Sequence, residues 1–235
     1  METAFFIGLT KIILVNLVLS GDNAVVIALA CRNLQPQLQK KAVFWGSFGA
    51  IGLRVILTFV AVWLLKISFV QLIGGVLLLW IAVKLLSGEE ESDDINGGSS
   101  LKEAIKTIII ADLVMSLDNV VAVAGAANGD IVLIIIGLAV SIPLIIWGSQ
   151  LLMRLMQRFP IIVTLGAALL GYTAGEMIMG DKIAGVFLEE VWSGLHSVLP
   201  LSLAALVVGI GKLISMRQSK SNDVSVINEA TEVSE

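Results

Sequence analysis

The chain has one cysteine, one histidine and one tyrosine in 235 residues, and only 14% of its side chains are charged. A single thiol, Cys31, excludes an internal disulfide and a cysteine-built metal site. The single histidine, His196, stands near Glu189 and Glu190 and reads as a surface residue, not a ligand. No ATP-binding motif and no nucleic-acid signature is present, so coupling to ATP would need another subunit. Alternating short strands are absent, which excludes an outer-membrane barrel. Soluble domains carry about 25% charged residues. This chain is 57% hydrophobic with a mean hydropathy of +0.96, so lipid is its solvent.

What is present is a series of apolar runs, roughly Phe5–Cys31, Ala42–Leu65, Phe69–Leu86, Ala104–Ala127, Ile131–Met153, Ile161–Met179 and Val198–Ser215. Each holds about the 20 residues that cross a hydrocarbon core of roughly 30 Å. The fold class expected is all-α, a polytopic membrane protein with about seven transmembrane helices. The first run has no basic segment before it and no small-residue cleavage pattern after it, so it reads as a span, not a cleaved leader. Arg32, Lys40, Lys41, Lys102, Lys106, Arg154, Arg158, Lys212, Arg217 and Lys220 flank one set of ends, against Lys66 and Lys182 on the other. The positive-inside rule then puts the N-terminus outside and the C-terminus in the cytoplasm.

The informative feature is self-similarity. Ile12–Ala30 and Ile108–Ala126 are identical at ten of nineteen positions without a gap. Ser20-Gly21-Asp22-Asn23 lies over Ser116-Leu117-Asp118-Asn119, and Asn16 over Asp112. The third run (Gly74, Gly75, Trp80, Lys84) lies over the sixth (Gly166, Ala167, Tyr172, Glu176). A unit of three spans enters the bilayer from opposite sides in its two copies, giving a 3+3 inverted repeat plus one extra C-terminal helix. Secondary transporters use this architecture with the site at the repeat interface. The division expected is residues 1–87 for the first repeat, 88–103 for an acidic cytoplasmic linker and 104–180 for the second repeat. It continues with 181–197 for an outer interfacial segment, 198–216 for the seventh helix and 217–235 for a disordered cytoplasmic tail. Ile183, Phe187, Val191 and Leu195 recur every four residues, the pattern of a short amphipathic helix lying in the interface. Trp45, Trp63, Trp80, Trp147 and Trp192 read as interface anchors and packing.

A charge at the bilayer centre costs on the order of 3 kcal/mol, so Asp22 and Asp118 near the middle of their spans call for a reason. A carboxylate, the neighbouring amides of Asn23 and Asn119, and carbonyls freed where Ser and Gly let a helix unwind make a hard, all-oxygen environment. That suits Mn²⁺, Mg²⁺ or Ca²⁺. Asn16 and Asp112 each stand six residues from their Asp, roughly 9 Å along a helix. Inversion then places Asn16 with Glu176 on the outer side and Asp112 with Lys84 on the inner side. Asp112 is either a ligand that receives the ion or the partner of Lys84 in an inner gate. Arg54 balances a carboxylate whose identity the sequence does not reveal.

These residues resemble the TerC family of bacterial integral membrane proteins, within the wider LysE-like exporter superfamily. The resemblance runs from about Phe5 to Ser215, on the duplicated Asp-Asn and the intramembrane glutamate. It implies a manganese exporter of the cell membrane, in some members linked to supplying metal to secreted or membrane-facing enzymes. Its metal-binding positions would be Asp22, Asn23, Asp118, Asn119, Asp112, Asn16 and Glu176. The transported ion, the bilayer and membrane or secretion-machinery proteins are its expected partners. No resident cofactor and no enzymatic turnover is expected. Three other readings stand beside it: an exporter of cationic amino acids, a non-transporting partner or scaffold for a membrane protease or secretion machine, and an intramembrane aspartyl protease built on Asp22 and Asp118. The protease lacks its usual Gly-x-Gly-Asp segment here.

Overall fold

The computed structural model describes residues 10, 21–64, 67–87, 98–126, 131–192 and 194–232, and among them the chain is all helical. Eight helices are described: α1 (Gly21–Cys31), α2 (Pro36–Leu64), α3 (Val70–Ser87), α4 (Gly98–Ala126), α5 (Ile131–Arg158), α6 (Ile161–Gly180), α7 (Ala184–Val191) and α8 (Leu195–Glu232). At 1.5 Å per residue, α2, α4 and α5 exceed about 40 Å, longer than a hydrocarbon core. Among the described residues, α3, α6 and Leu195–Ile214 of α8 are both long and apolar enough to cross a membrane.

The chain leaves its large apolar side chains on the outside. Phe48, Trp80, Trp147, Leu165 and Leu201 are all about three-fifths or more exposed, which lipid tolerates and water does not. Phe44, Trp45 and Phe48 form an aromatic cluster near the start of α2, with ring centroids 5.4–6.4 Å apart. Trp45, Trp80, Trp147 and Trp192 all face outward, as interface anchors do; the side chain of Trp63 lies outside the described residues. Inside, Val26, Leu78, Ile108, Met115, Leu170 and Met177 form one continuous core.

Without a hydrophobic drive between helices in lipid, close approach depends on small residues. The broadest contacts join α2 to α4, α6 to α8 and α3 to α6, while α1 packs on α5, α4 and α6. On α6, Gly171 and Gly175 sit one turn apart against α8. A Cβ on Gly175 would lie 2.4 Å from the Pro200 Cα, and one on Gly171 would lie 2.9 Å from the Ala204 Cα. Any side chain there would push the two helices apart.

Two expected segments differ. Helix α4 starts at Gly98, so positions 98–103 of the supposed linker are its first turns; 88–97 lie outside the described residues. The tail expected to be disordered continues α8 to Glu232. No Pro or Gly interrupts the sequence from Lys212 to Glu232, so nothing breaks the helix as it leaves the apolar run. A short helix does form in this segment, α7, with Ile183 just before it and Phe187 and Val191 within it exposed.

Asp181, which sequence reasoning passed over, ties this end of the bundle. Its Oδ1 accepts the backbone N–H of Ile183 and Ala184, both at 3.0 Å, and its Oδ2 that of Leu72 at 3.3 Å. The carboxylate therefore clamps the start of α3 to the α6–α7 corner. Burial pushes its pKa up, but the backbone donors of Ala184, Ile183, Leu72 and Gln71 outweigh this and hold it below the ordinary value of 3.8.

Candidate functional site

The buried polar groups gather where α2 and α4 pack together. Arg54 stands near the middle of α2 and is 3% exposed, which demands a partner. It has two on α4. Its Nε donates to Ser116 Oγ at 2.9 Å and its Nη2 pairs with Asp112 Oδ1. Ser116, one turn beyond Asp112 and fully buried, donates at 3.3 Å to the other carboxylate oxygen. The three side chains close a triangle in which both carboxylate oxygens are engaged. The serine of the second Ser-x-Asp-Asn motif thus orients an ion pair that engages Asp112, itself one of the predicted cation ligands.

This overturns the inner gate expected between Lys84 and Asp112. Lys84 is bound to Glu103 of α4 and lies over the Trp80 ring, 5.5 Å from its centroid. The reason is depth: Lys84 lies in the last turn of α3, level with the beginning of α4, whereas Asp112 is at the midpoint of α4. A lysine there reaches the interface more cheaply than the core.

Helix α1 supplies the other wall. Asp22 is in its first turn, where the helix dipole favours a carboxylate. It is half-buried, its Oδ1 accepts the Asn23 backbone N–H at 2.8 Å, and the charges of both Arg54 and Asp112 act on it. Asn23 is 3% exposed, and among the described residues neither its Oδ1 nor its Nδ2 has a hydrogen-bond partner. Leaving a buried amide unpaired costs about 1–3 kcal/mol per group, so such an orphan calls for a partner, which a water or an ion can supply. Asn23 and Asp112 line one cavity of about 10 Å³, closed by Val26, Ile27 and Ile108. That is about the least volume that admits one water. One turn further along the α1–α4 seam, a cavity of about 60 Å³ lies between Asn33, Lys84, Ser100, Glu103 and Thr107. Ile27 and Ile108 line the smaller of the two.

The structure therefore brings together Asp22, Asn23 and Asp112, with Arg54 and Ser116. Asn119 is half-buried on α4; Asp118 lies on the same helix, but its side chain is outside the described residues, as is Asn16. Glu176 is not in the cluster. It is exposed on α6 and hydrogen-bonded to Tyr172, one turn before it. Among the described residues, no three Asp, Glu, His or Cys side chains converge as a preformed metal site. Arg54 could have been assigned from sequence only by knowing that α2 packs on α4, which no local pattern gives.

Residues 1–222 match the integral membrane protein TerC family. The chain belongs to that family. It is 43% identical over 208 residues to the uncharacterized membrane protein YjbE of Bacillus subtilis, covering 88% of this chain and 95% of that one. It is 25% identical over 200 residues to YceF of the same organism, with 81% and 72% covered. It is also 26% identical over 184 residues to the protein YegH of Escherichia coli, 70% of this chain but 35% of that longer one. None of these names states a substrate, and no solved structure matches the chain. This TerC-family chain is an integral membrane protein with several apolar helices.

Proposed function

We propose that this TerC-family protein exports a divalent cation, Mn²⁺ before others, across the cell membrane by alternating access. The observation that carries the reading is the partnerless, buried Asn23 amide, set beside Asp22 and facing the same closed cavity as Asp112. An amide oxygen and carboxylates are hard donors, which suit Mn²⁺, Mg²⁺ or Ca²⁺. The charge balance supports a divalent ion. Asp112 is paired with Arg54 and Lys84 with Glu103, so in this reading the carboxylates of the duplicated motif, Asp22 and Asp118, supply the countercharge of the ion, and Glu176 lies outside the cluster.

In this reading the protein spans the membrane about seven times as a 3+3 inverted repeat with an added C-terminal helix, N-terminus outside and C-terminus in the cytoplasm. The packing supports the repeat. Exchanging the halves turns the α2–α4 contact into the α5–α1 contact and the α3–α4 contact into the α6–α1 contact, and all four exist. The cavity at Glu103 and Thr107 is then the cytoplasmic vestibule, and Ile27 and Ile108 are the shut segment of the path. With Arg54 and Ser116 holding both its oxygens, Asp112 is a locked ligand here; the ion completes its site when Arg54 lets go. Asn16, Asn119 and Glu176 act on the outward half, where Asn16 replaces an acid and release is easier.

The amino-acid alternative needs a group for the substrate carboxylate. Arg54, the natural candidate, is engaged, and a cavity of about 10 Å³ has no room for an amino acid. The test is cell-associated manganese by elemental analysis under manganese stress. Wild type is expected to lower it, while Asp22→Asn and Asp118→Asn at equal membrane levels do not. Levels equal to the empty vector in all three strains would sink the exporter reading.

A further inference from the structure

A third cavity, of about 580 Å³, lies on the surface of the bundle between α3 and α4, apart from the buried cluster. Its volume is within the roughly 300–1,000 Å³ of small-molecule sites. Its composition changes along its length. At one end Lys84 of α3 meets Lys102 and Lys106 of α4. Lys102 and Lys106 are exposed, and among the described residues neither forms an ion pair. Glu103 cancels Lys84, so this end carries a net charge of +2 from the other two lysines. Towards the middle of the helices the lining becomes Leu77, Ile81 and Ile110. Trp80, 60% exposed, stands between the two ends where an interfacial indole belongs.

We propose that this groove binds one anionic phospholipid, its phosphate between Lys102 and Lys106 and an acyl chain along Leu77, Ile81 and Ile110. A soluble anion would match the lysines but leave the apolar length empty. A zwitterionic lipid would fill the apolar length but bring no net charge to the lysines. Basic pockets between transmembrane helices hold acidic headgroups on these grounds. The site stands independently of what the protein transports. Because the Lys84–Glu103 pair lines both this groove and the seam cavity beside Asn33, a bound headgroup sits next to the entrance of that seam.

The test is native mass spectrometry of delipidated protein in detergent, titrated with phosphatidylglycerol or phosphatidylcholine of identical acyl chains. Phosphatidylglycerol is expected to bind about tenfold tighter. Lys102→Gln with Lys106→Gln should bring it to the phosphatidylcholine level, while Lys40→Gln with Lys41→Gln, equally exposed lysines away from the groove, leaves it unchanged. Equal loss in the two double variants means diffuse surface charge and overturns the proposal. So does glycerol phosphate binding as tightly as the whole lipid. If a preference for phosphatidylglycerol emerges only once the acids at 89–91, 93 and 94 are replaced by amides, the chain's own acidic segment is the occupant and the lipid assignment fails. Brominated-chain phosphatidylglycerol gives a second readout, since the fluorescence it quenches should fall in Trp80→Phe.

Discussion

Among the described residues two ion pairs join α4 to its neighbours, and they teach different things about the same helix. Arg54–Asp112 lies at the middle of the bundle, with side chains 3% and 10% exposed. Lys84–Glu103 lies at its end, with side chains 19% and 31% exposed. Both cations could have reached either acid by type alone, and the pattern of the repeat suggested Lys84 with Asp112. Depth decided otherwise. A guanidinium, planar and less strongly hydrated, takes the buried acid together with a serine in a fixed fork. A flexible ammonium takes the acid at the rim and stacks on an indole. Neither member of the buried pair has water to turn to, whereas both members of the rim pair do.

The largest test of this contrast is Arg54→Leu. Removing one member of a buried pair leaves a stranded carboxylate, so unfolding in detergent should show a loss of about 3–5 kcal/mol. Adding Asp112→Leu should recover most of it, since two apolar groups cost less than one unpaired charge. A loss below about 1 kcal/mol in the single variant would mean that the pair is not buried as described. Ser116→Ala comes next, at about 2 kcal/mol, because it removes hydrogen bonds to both charged partners. If Ser116→Ala behaves like a neutral surface change, the triangle does not hold Arg54 in place.

Asp181→Asn, which leaves an acceptor but no charge, should cost about 1 kcal/mol near neutral pH. Its pKa is lowered on folding, so its contribution is complete above the ordinary 3.8 and disappears as pH falls through the lower folded value. Unfolding curves of wild type and Asp181→Asn should therefore converge below that window. Divergence that persists in strong acid would contradict the clamp. Lys84→Met closes the series, at under about 1 kcal/mol, as partly exposed pairs contribute little. Should Lys84→Met match Arg54→Leu in cost, the distinction between the two pairs collapses.

Much of this architecture was legible in the chain itself. The apolar runs foretold α3, α6 and the apolar part of α8, because span length is fixed by the bilayer and not by tertiary context. The short helix α7 was readable from the four-residue spacing of Ile183, Phe187 and Val191. The helical extension to Glu232 was not, because polarity alone does not unfold a segment that has no breaker. At the site, the duplicated Asp-Asn pointed to Asp22 and Asn23, and both were found beside Asp112. Arg54 and Ser116 were hidden because their roles arise from the packing of α2 on α4, a contact between residues 58 and 62 positions apart. Glu176 looked intramembrane and equivalent to the rest, yet it faces outward on α6.

The central claim is that the seam between α1 and α4 holds a divalent cation, and Mn²⁺ binding to the purified protein tests it without any cellular background. Electron paramagnetic resonance of free Mn²⁺ during titration should reveal one saturable site per chain in wild type. Asp22→Asn and Asn23→Ala should abolish it, while Lys84→Met should retain it. Saturable binding that survives both Asp22→Asn and Asn23→Ala would contradict the account, because the ion would then be held somewhere other than this seam.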